Sequence, residues 1–113
     1  MKKPIDFSES LKLVNHDKQL AVDLLTMLVR DLPGIKTQIM DLIDNEDLLT
    51  CRKLVHKTLG ATCYCGVPYL KEALLQFQNS HRNGDDIQKL TTCANKISSE
   101  IDEVVNSFNE IYV

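Results

Sequence analysis

Apolar residues recur along this chain at spacings of three and four, the period of a helix with one buried face. Leu20, Leu24, Met27, Leu28, Leu32, Ile35, Ile39, Leu42 and Ile43 form the longest such stripe and predict a helix over about 17–45. Pro33 lies inside it. Proline lacks the backbone donor and crowds the preceding turn, so a kink or break is expected there. Upstream, Phe7, Leu11 and Val14 predict a short helix over about 6–14, with Asn15 as the N-cap of the next. Downstream, Asn45-Glu46-Asp47 makes a tight acidic connection to a helix over about 47–65. Gly66-Val67-Pro68 ends that helix and opens another over about 68–82, since proline suits a first helical turn. Leu70, Ala73, Leu74 and Phe77 give it an inner face. Arg82-Asn83-Gly84 is a stop signal. Asp85-Asp86 then place negative charge at the start of a last helix over about 85–110, where the backbone dipole favours it. Its core positions are Ile87, Leu90, Ala94, Ile97, Ile101, Val104, Val105 and Phe108. At about 1.5 Å per residue that helix spans roughly 39 Å. No run reads as a strand. The expected fold is all-α: an antiparallel up-down four-helix bundle with a short N-terminal helix packed as a lid.

Composition supports one domain. The 113 residues are 43% hydrophobic, enough for a core without a disulfide or metal staple. With 13 basic and 16 acidic residues the net charge is −3, which argues against nucleic-acid binding through the whole surface. No apolar run approaches the roughly 20 residues of a membrane span, and no apolar segment follows Lys2-Lys3 as in a signal peptide. The expectation is a cytoplasmic domain with no direct membrane contact. Cys51, Cys63, Cys65 and Cys93 read as free thiols, because nothing in the chain points to secretion. Their spacing matches no familiar zinc site, so no metal is expected.

The segment from Asp47 to Cys65 carries the candidate chemistry. On a wheel at about 100° per residue, Cys51, Leu54, Val55, Thr58, Thr62 and Cys65 share one arc and should face the core. The centre of that arc lies roughly 130–150° from His56, which places the imidazole in solvent at mid-helix. Its neighbours on the wheel are Leu49, Arg52, Lys53, Leu59, Gly60 and Cys63. A mid-helix glycine costs about 1 kcal/mol relative to alanine, so Gly60, one turn after His56, calls for a reason. A bare backbone beside the ring gives a large partner unhindered access. Between Asp47 and Glu72 there is no carboxylate, yet Arg52, Lys53, Lys57 and Lys71 lie there. Such local positive charge suits a phosphate or an acidic partner pocket. Leu49 and Leu59 rim the exposed face, as a docking surface requires. A solvated imidazole is largely neutral at pH 7, and a neutral ring nitrogen is a competent nucleophile. The chain has no phosphate-cradling glycine loop and no acidic triplet for Mg²⁺ in this window, so a phosphoryl group must come from a partner. His16 reads as a solvated residue, and His81 as a dipole partner at a helix C-terminus. Thiol or metal sensing at Cys63 and Cys65 is a weaker alternative.

The residues His56-Lys57-Thr58-Leu59-Gly60-Ala61, followed by Gly66-Val67-Pro68 and Leu70-Lys71, resemble the histidine-containing phosphotransfer (HPt) domain. The nearest type is the HPt module at the C-terminus of tripartite hybrid sensor kinases. Ile5-Asp6-Phe7 with Leu11, and Asp31-Leu32-Pro33 before Ile39, also fit that layout, so the resemblance covers nearly the whole chain. It implies a four-helix bundle whose exposed His56 accepts phosphate from a receiver-domain aspartyl-phosphate and passes it to a response regulator. The partner receivers hold Mg²⁺, the domain binds no cofactor, and a monomer is expected. The family frequently has Lys three residues after the histidine and Ser after the glycine; Leu59 and Ala61 stand here instead. Lys53, Arg52 and Lys57 are therefore the expected cations. Gln78 matches an amide that the family often places on the neighbouring helix. Gly60, Leu59, Leu49 and Cys63 form the implied docking face. The alternative is a helical adaptor that binds receivers without carrying phosphate.

Overall fold

The computed structural model describes residues 3–112, with only the backbone described at position 112. Five α-helices follow one another: α1 (Phe7–Leu13), α2 (Lys18–Asp44), α3 (Leu48–Ala61), α4 (Pro68–Arg82) and α5 (Ile87–Tyr112). A single 3₁₀ turn, Thr62–Tyr64, prolongs α3. The described residues contain no strand. The four long helices pack in a ring in which α2 meets α3 and α5, and α4 meets α3 and α5. Their connections are short, which forces neighbours in sequence to run antiparallel. The long axis of 41 Å matches the lengths of α2 and α5, whose 27 and 26 residues rise about 1.5 Å each.

Aspartates start four of the five helices, α4 opening instead on Pro68. Asp6 accepts from Glu9 N, Asp17 from Leu20 N, Asp47 from Thr50 N and Asp86 from Lys89 N. Each satisfies a donor that the first turn leaves without a partner. The cap of α2 is thus Asp17 and not Asn15 as expected. Asn15 and His16 both adopt positive φ, 55° and 63°, in the turn that ends α1. Asparagine is well suited to that conformation, which leaves the capping to the aspartate.

Of the kink or break expected at Pro33, the break does not occur, and α2 is continuous from Lys18 to Asp44. Pro33 is exposed, while Val29, Leu32, Ile39 and Ile43 on either side of it are buried. Proline removes one intrahelical bond, and burial of the flanking stripe holds both halves in register. The stripe itself is rotated from the expected one. Leu20 and Met27 are exposed, and Ala21, Leu25 and Val29 take the core positions. Apolar residues occupy more than one face of the first half of α2, and contact with α5 and α3 selects among them. Phe108, expected in the core, is half-buried at its edge, whereas Phe77 is fully enclosed.

The N-terminal helix is tied to the connection between α3 and α4. Asp6 N donates to Gly66 O, and Gly66 N donates to the buried Ser10 Oγ at 2.8 Å. A Cβ on Gly66 would collide with the Asp6 carbonyl oxygen and lie 2.8 Å from Ser10 Oγ, so only glycine lets the two segments approach. One charged side chain enters the interior of the bundle: Glu100 in α5 is 2% exposed, with Lys96 Nζ 3.3 Å away one turn earlier. No helix among the described residues is long and apolar enough to cross a membrane.

Candidate functional site at His56

The inner face of α3 is built from Cys51, Val55 and Thr58, all buried, with Thr62 continuing it in the 3₁₀ turn. Two of these carry hydroxyls, and both are satisfied locally. Thr58 Oγ1 donates to Leu54 O at 2.8 Å and Thr62 Oγ1 to Leu59 O at 2.7 Å. The core side of α3 therefore makes no polar demand on the other helices, and its opposite face is free to carry chemistry.

That opposite face presents His56, Lys53, Gly60 and Cys63 to solvent. Leu49 is 57% exposed, and Leu59 is half-buried against the core. Arg52 is half-buried on the same face. A Cβ added at Gly60 would meet nothing within 4 Å. No internal contact requires glycine there. Lys57 is exposed, but it borders a groove with Asp31, Ile35 and Gln38 of α2. It therefore stands to one side of the face that holds His56 and Gly60.

A side chain of α4 completes the centre. Gln78 Nε2 lies 3.2 Å from His56 Nδ1. The Oε1 atom of the same amide is buried and has no hydrogen-bond partner among the described residues. The contact fixes the antiparallel register of α3 and α4, since 56 is level with 78. It also leaves Nε2, the outer ring nitrogen, facing away from the amide. The resemblance placed Gln78 on the neighbouring helix; its distance to the ring comes from packing.

All four cysteines are free. Cys51 and Cys65 are buried, and burial pushes both thiols up to about 11, with Asp47 adding to the effect at Cys51. Cys63 is exposed, and its Sγ lies 3.6 Å from Leu59 O. Among the described residues no three His, Cys, Asp or Glu side chains come together as metal ligands. His16 is exposed at the entrance to α2, and His81 is half-buried in the last turn of α4 with Arg82. Neither lies beside His56. Met27, 56% exposed, and Tyr64, 58% exposed, border a groove between α2 and the 3₁₀ turn.

A solved crystal structure of the HPt domain from a sensor hybrid histidine kinase of Shewanella superposes with a TM-score of 0.77. The superposition covers 97% of both chains at 21% identity. The chain has the HPt fold. No family model matches the sequence. Two groups of curated proteins do. The sensor protein GacS of Pseudomonas syringae pv. syringae is 36% identical over 69 residues, 61% of this chain and 8% of that protein. The signal transduction histidine-protein kinase BarA of Escherichia coli K12 is 25% identical over 107 residues, 95% of this chain and 12% of that protein. The chain thus spans about a tenth of the length of the curated relatives it matches. The HPt fold orders the bundle as the hydrophobic pattern predicts: a short leading helix followed by four long ones, with His56 exposed on the second long helix.

Proposed function

We propose that the domain is a phosphorelay intermediate that carries a phosphoryl group on His56. The observation that carries this reading is an exposed imidazole held by Gln78 on one side and bordered by the open backbone of Gly60 on the other. In the forward step the lone pair of His56 Nε2 forms a bond to phosphorus in line with the leaving group. The bond from phosphorus to the aspartyl oxygen of the partner breaks, and the carboxylate departs with its electrons. Both ring nitrogens are then substituted, so the ring is positively charged until Nδ1 gives up its proton.

Gln78 bears on that charge. An imidazole that attacks through Nε2 must hold its proton on Nδ1. A half-turn of the Gln78 amide brings the buried Oε1 to Nδ1, where it accepts that proton's hydrogen bond. The amide then fixes the tautomer and favours the cationic ring that forms on attack. The phosphoryl nitrogen bond remains weak enough to donate to a second aspartate.

Partners follow from the chemistry. The donor and the acceptor are receiver domains, one of a hybrid sensor kinase and one of a response regulator, and they supply the Mg²⁺. Leu49, Leu59, Gly60 and Cys63 form the face on which they dock. Lys53 and Arg52 offset the phosphoryl charge from the same face, and Lys57 contributes from the α2 side. The domain acts as a monomer in the cytoplasm and carries no kinase activity of its own.

Incubation with a phosphorylated receiver tests the reading. The wild-type chain should gain a base-stable, acid-labile phosphate, and His56→Gln should gain none while unfolding at the same temperature. Binding without any phosphate on the wild type would identify an adaptor instead. Residual label on His56→Gln would place the acceptor elsewhere.

A further inference from the structure

We propose that the groove between α1 and α4 seats a short cationic amphipathic helix of a partner protein. The groove follows from the way α1 is held. Its first turn is pinned to Gly66, at the entrance to α4, and its body packs on α2 and the 3₁₀ turn. A furrow of about 350 Å³ is left between α1 and α4. Cys65 and Val67, both buried, lie at its base. None of the residues assigned above to receiver docking lines it.

The two walls carry the same pair of residue types. Glu9 and Leu13 share one face of α1, and Glu72 and Leu75 share one face of α4. Leu13 and Leu75 remain 37% and 41% exposed, one on each side of the furrow. Facing leucines of this kind lose their contact with water only when an apolar surface is laid between them.

Charge selects the occupant. Glu9 and Glu72 are exposed and take part in no ion pair among the described residues. Asp6 adds a third carboxylate, engaged as the cap of α1. Lys71, which the sequence groups with the basic window around His56, borders this furrow instead and offsets one of the three. The balance is negative, opposite to the face on which Lys53 and Arg52 flank His56. A basic segment is drawn to the furrow and an acidic one is turned away. Its form follows from the backbone. The described residues contain no strand, so an extended segment finds no sheet edge with which to pair. A helix satisfies its own backbone groups and sets an apolar stripe between basic flanks. The stripe suits Leu13 and Leu75, and the flanks suit Glu9 and Glu72.

The test uses the whole chain and a fluorescent helical peptide of leucine and lysine, about 14 residues long, with its leucines at spacings of three and four. Anisotropy titration should show saturable one-to-one binding that weakens as salt is raised. A matching peptide of leucine and glutamate should not bind. Leu13→Ser with Leu75→Ser should weaken binding roughly tenfold. Glu9→Lys with Glu72→Lys should reverse the preference, admitting the glutamate peptide and rejecting the lysine one. Leu20→Ser with Met27→Ser on α2, and Glu103→Gln with Glu110→Gln on α5, should bind like the wild type. Every substituted position is exposed, so helical circular dichroism should not change. Absence of binding, or equal loss in the α2 or α5 variants, would overturn the proposal. Transfer from a phosphorylated receiver, and labelling by phosphoramidate, a small donor that needs no docking, should match the wild type in the leucine variant. Slower transfer would give the furrow to a receiver and overturn the proposal as well. Self-association of the wild type that the leucine variant abolished would give it to a second copy, with the same result.

Discussion

Replacing Gly60 with alanine should make the protein more stable. Gly60 is exposed in the middle of α3, and a Cβ there meets nothing within 4 Å. The substitution adds no clash and reduces the entropy of the unfolded chain, which stabilises a helix by about 0.5–1 kcal/mol. At about 2.1 cal/mol/K of unfolding entropy per residue, a domain of 113 residues gains roughly 2–4 °C in Tm. Gly34, open in the same way in α2, calibrates the measurement, because Gly34→Ala should gain a similar amount. Gly66→Ala should do the reverse. Its Cβ strikes the Asp6 carbonyl oxygen and crowds Ser10, and overpacking of that kind costs about 1–3 kcal/mol. Thermal unfolding followed by circular dichroism at 222 nm measures all three variants. A lower Tm for Gly60→Ala would refute the reasoning, because it would mean that the fold itself needs this glycine. A gain in Tm leaves access for a partner as the reason for an otherwise costly residue.

Three further outcomes are expected. Gly60→Glu should slow transfer from a phosphorylated receiver by bulk and charge while labelling by phosphoramidate persists, and equal slowing of both would count against a docking role. Gln78→Leu removes the partner of Nδ1 together with a buried atom that has no partner of its own, so transfer should fall about tenfold with no loss of Tm. Unchanged transfer in single-turnover assays would dismiss the amide. Burial raises the Cys51 and Cys65 thiols from 9.0 to about 11. The unfolded chain therefore releases these protons first as pH rises, and the stability they confer, complete below pH 9, is lost between pH 9 and about 11. Urea titrations across that window should show the decline, and maleimide at pH 7.5 should modify Cys63 ahead of both.

Local pattern determines a good deal of this molecule. Spacings of three and four, with Gly66-Val67-Pro68 and Arg82-Asn83-Gly84 as punctuation, suffice for the number, order and approximate limits of the helices, because amphipathic period and backbone geometry are properties of short segments. The exposure of His56 follows likewise from the wheel of α3, whose buried residues occupy one arc. Where several choices satisfy the local rules, packing decides. Asp17 caps α2 because Asn15 is taken into a left-handed turn. Ala21 and Leu25 are buried while Leu20 and Met27 are not, because α3 and α5 lie on that side. Pro33 interrupts a hydrogen bond and not a helix, because the buried residues around it hold the axis. The seating of α1 on Gly66, and the meeting of His56 with Gln78 across 22 positions of sequence, arise only when separate helices come together. The exposed histidine was legible in one helix, while the amide that meets it belongs to the register between two, which no single segment encodes.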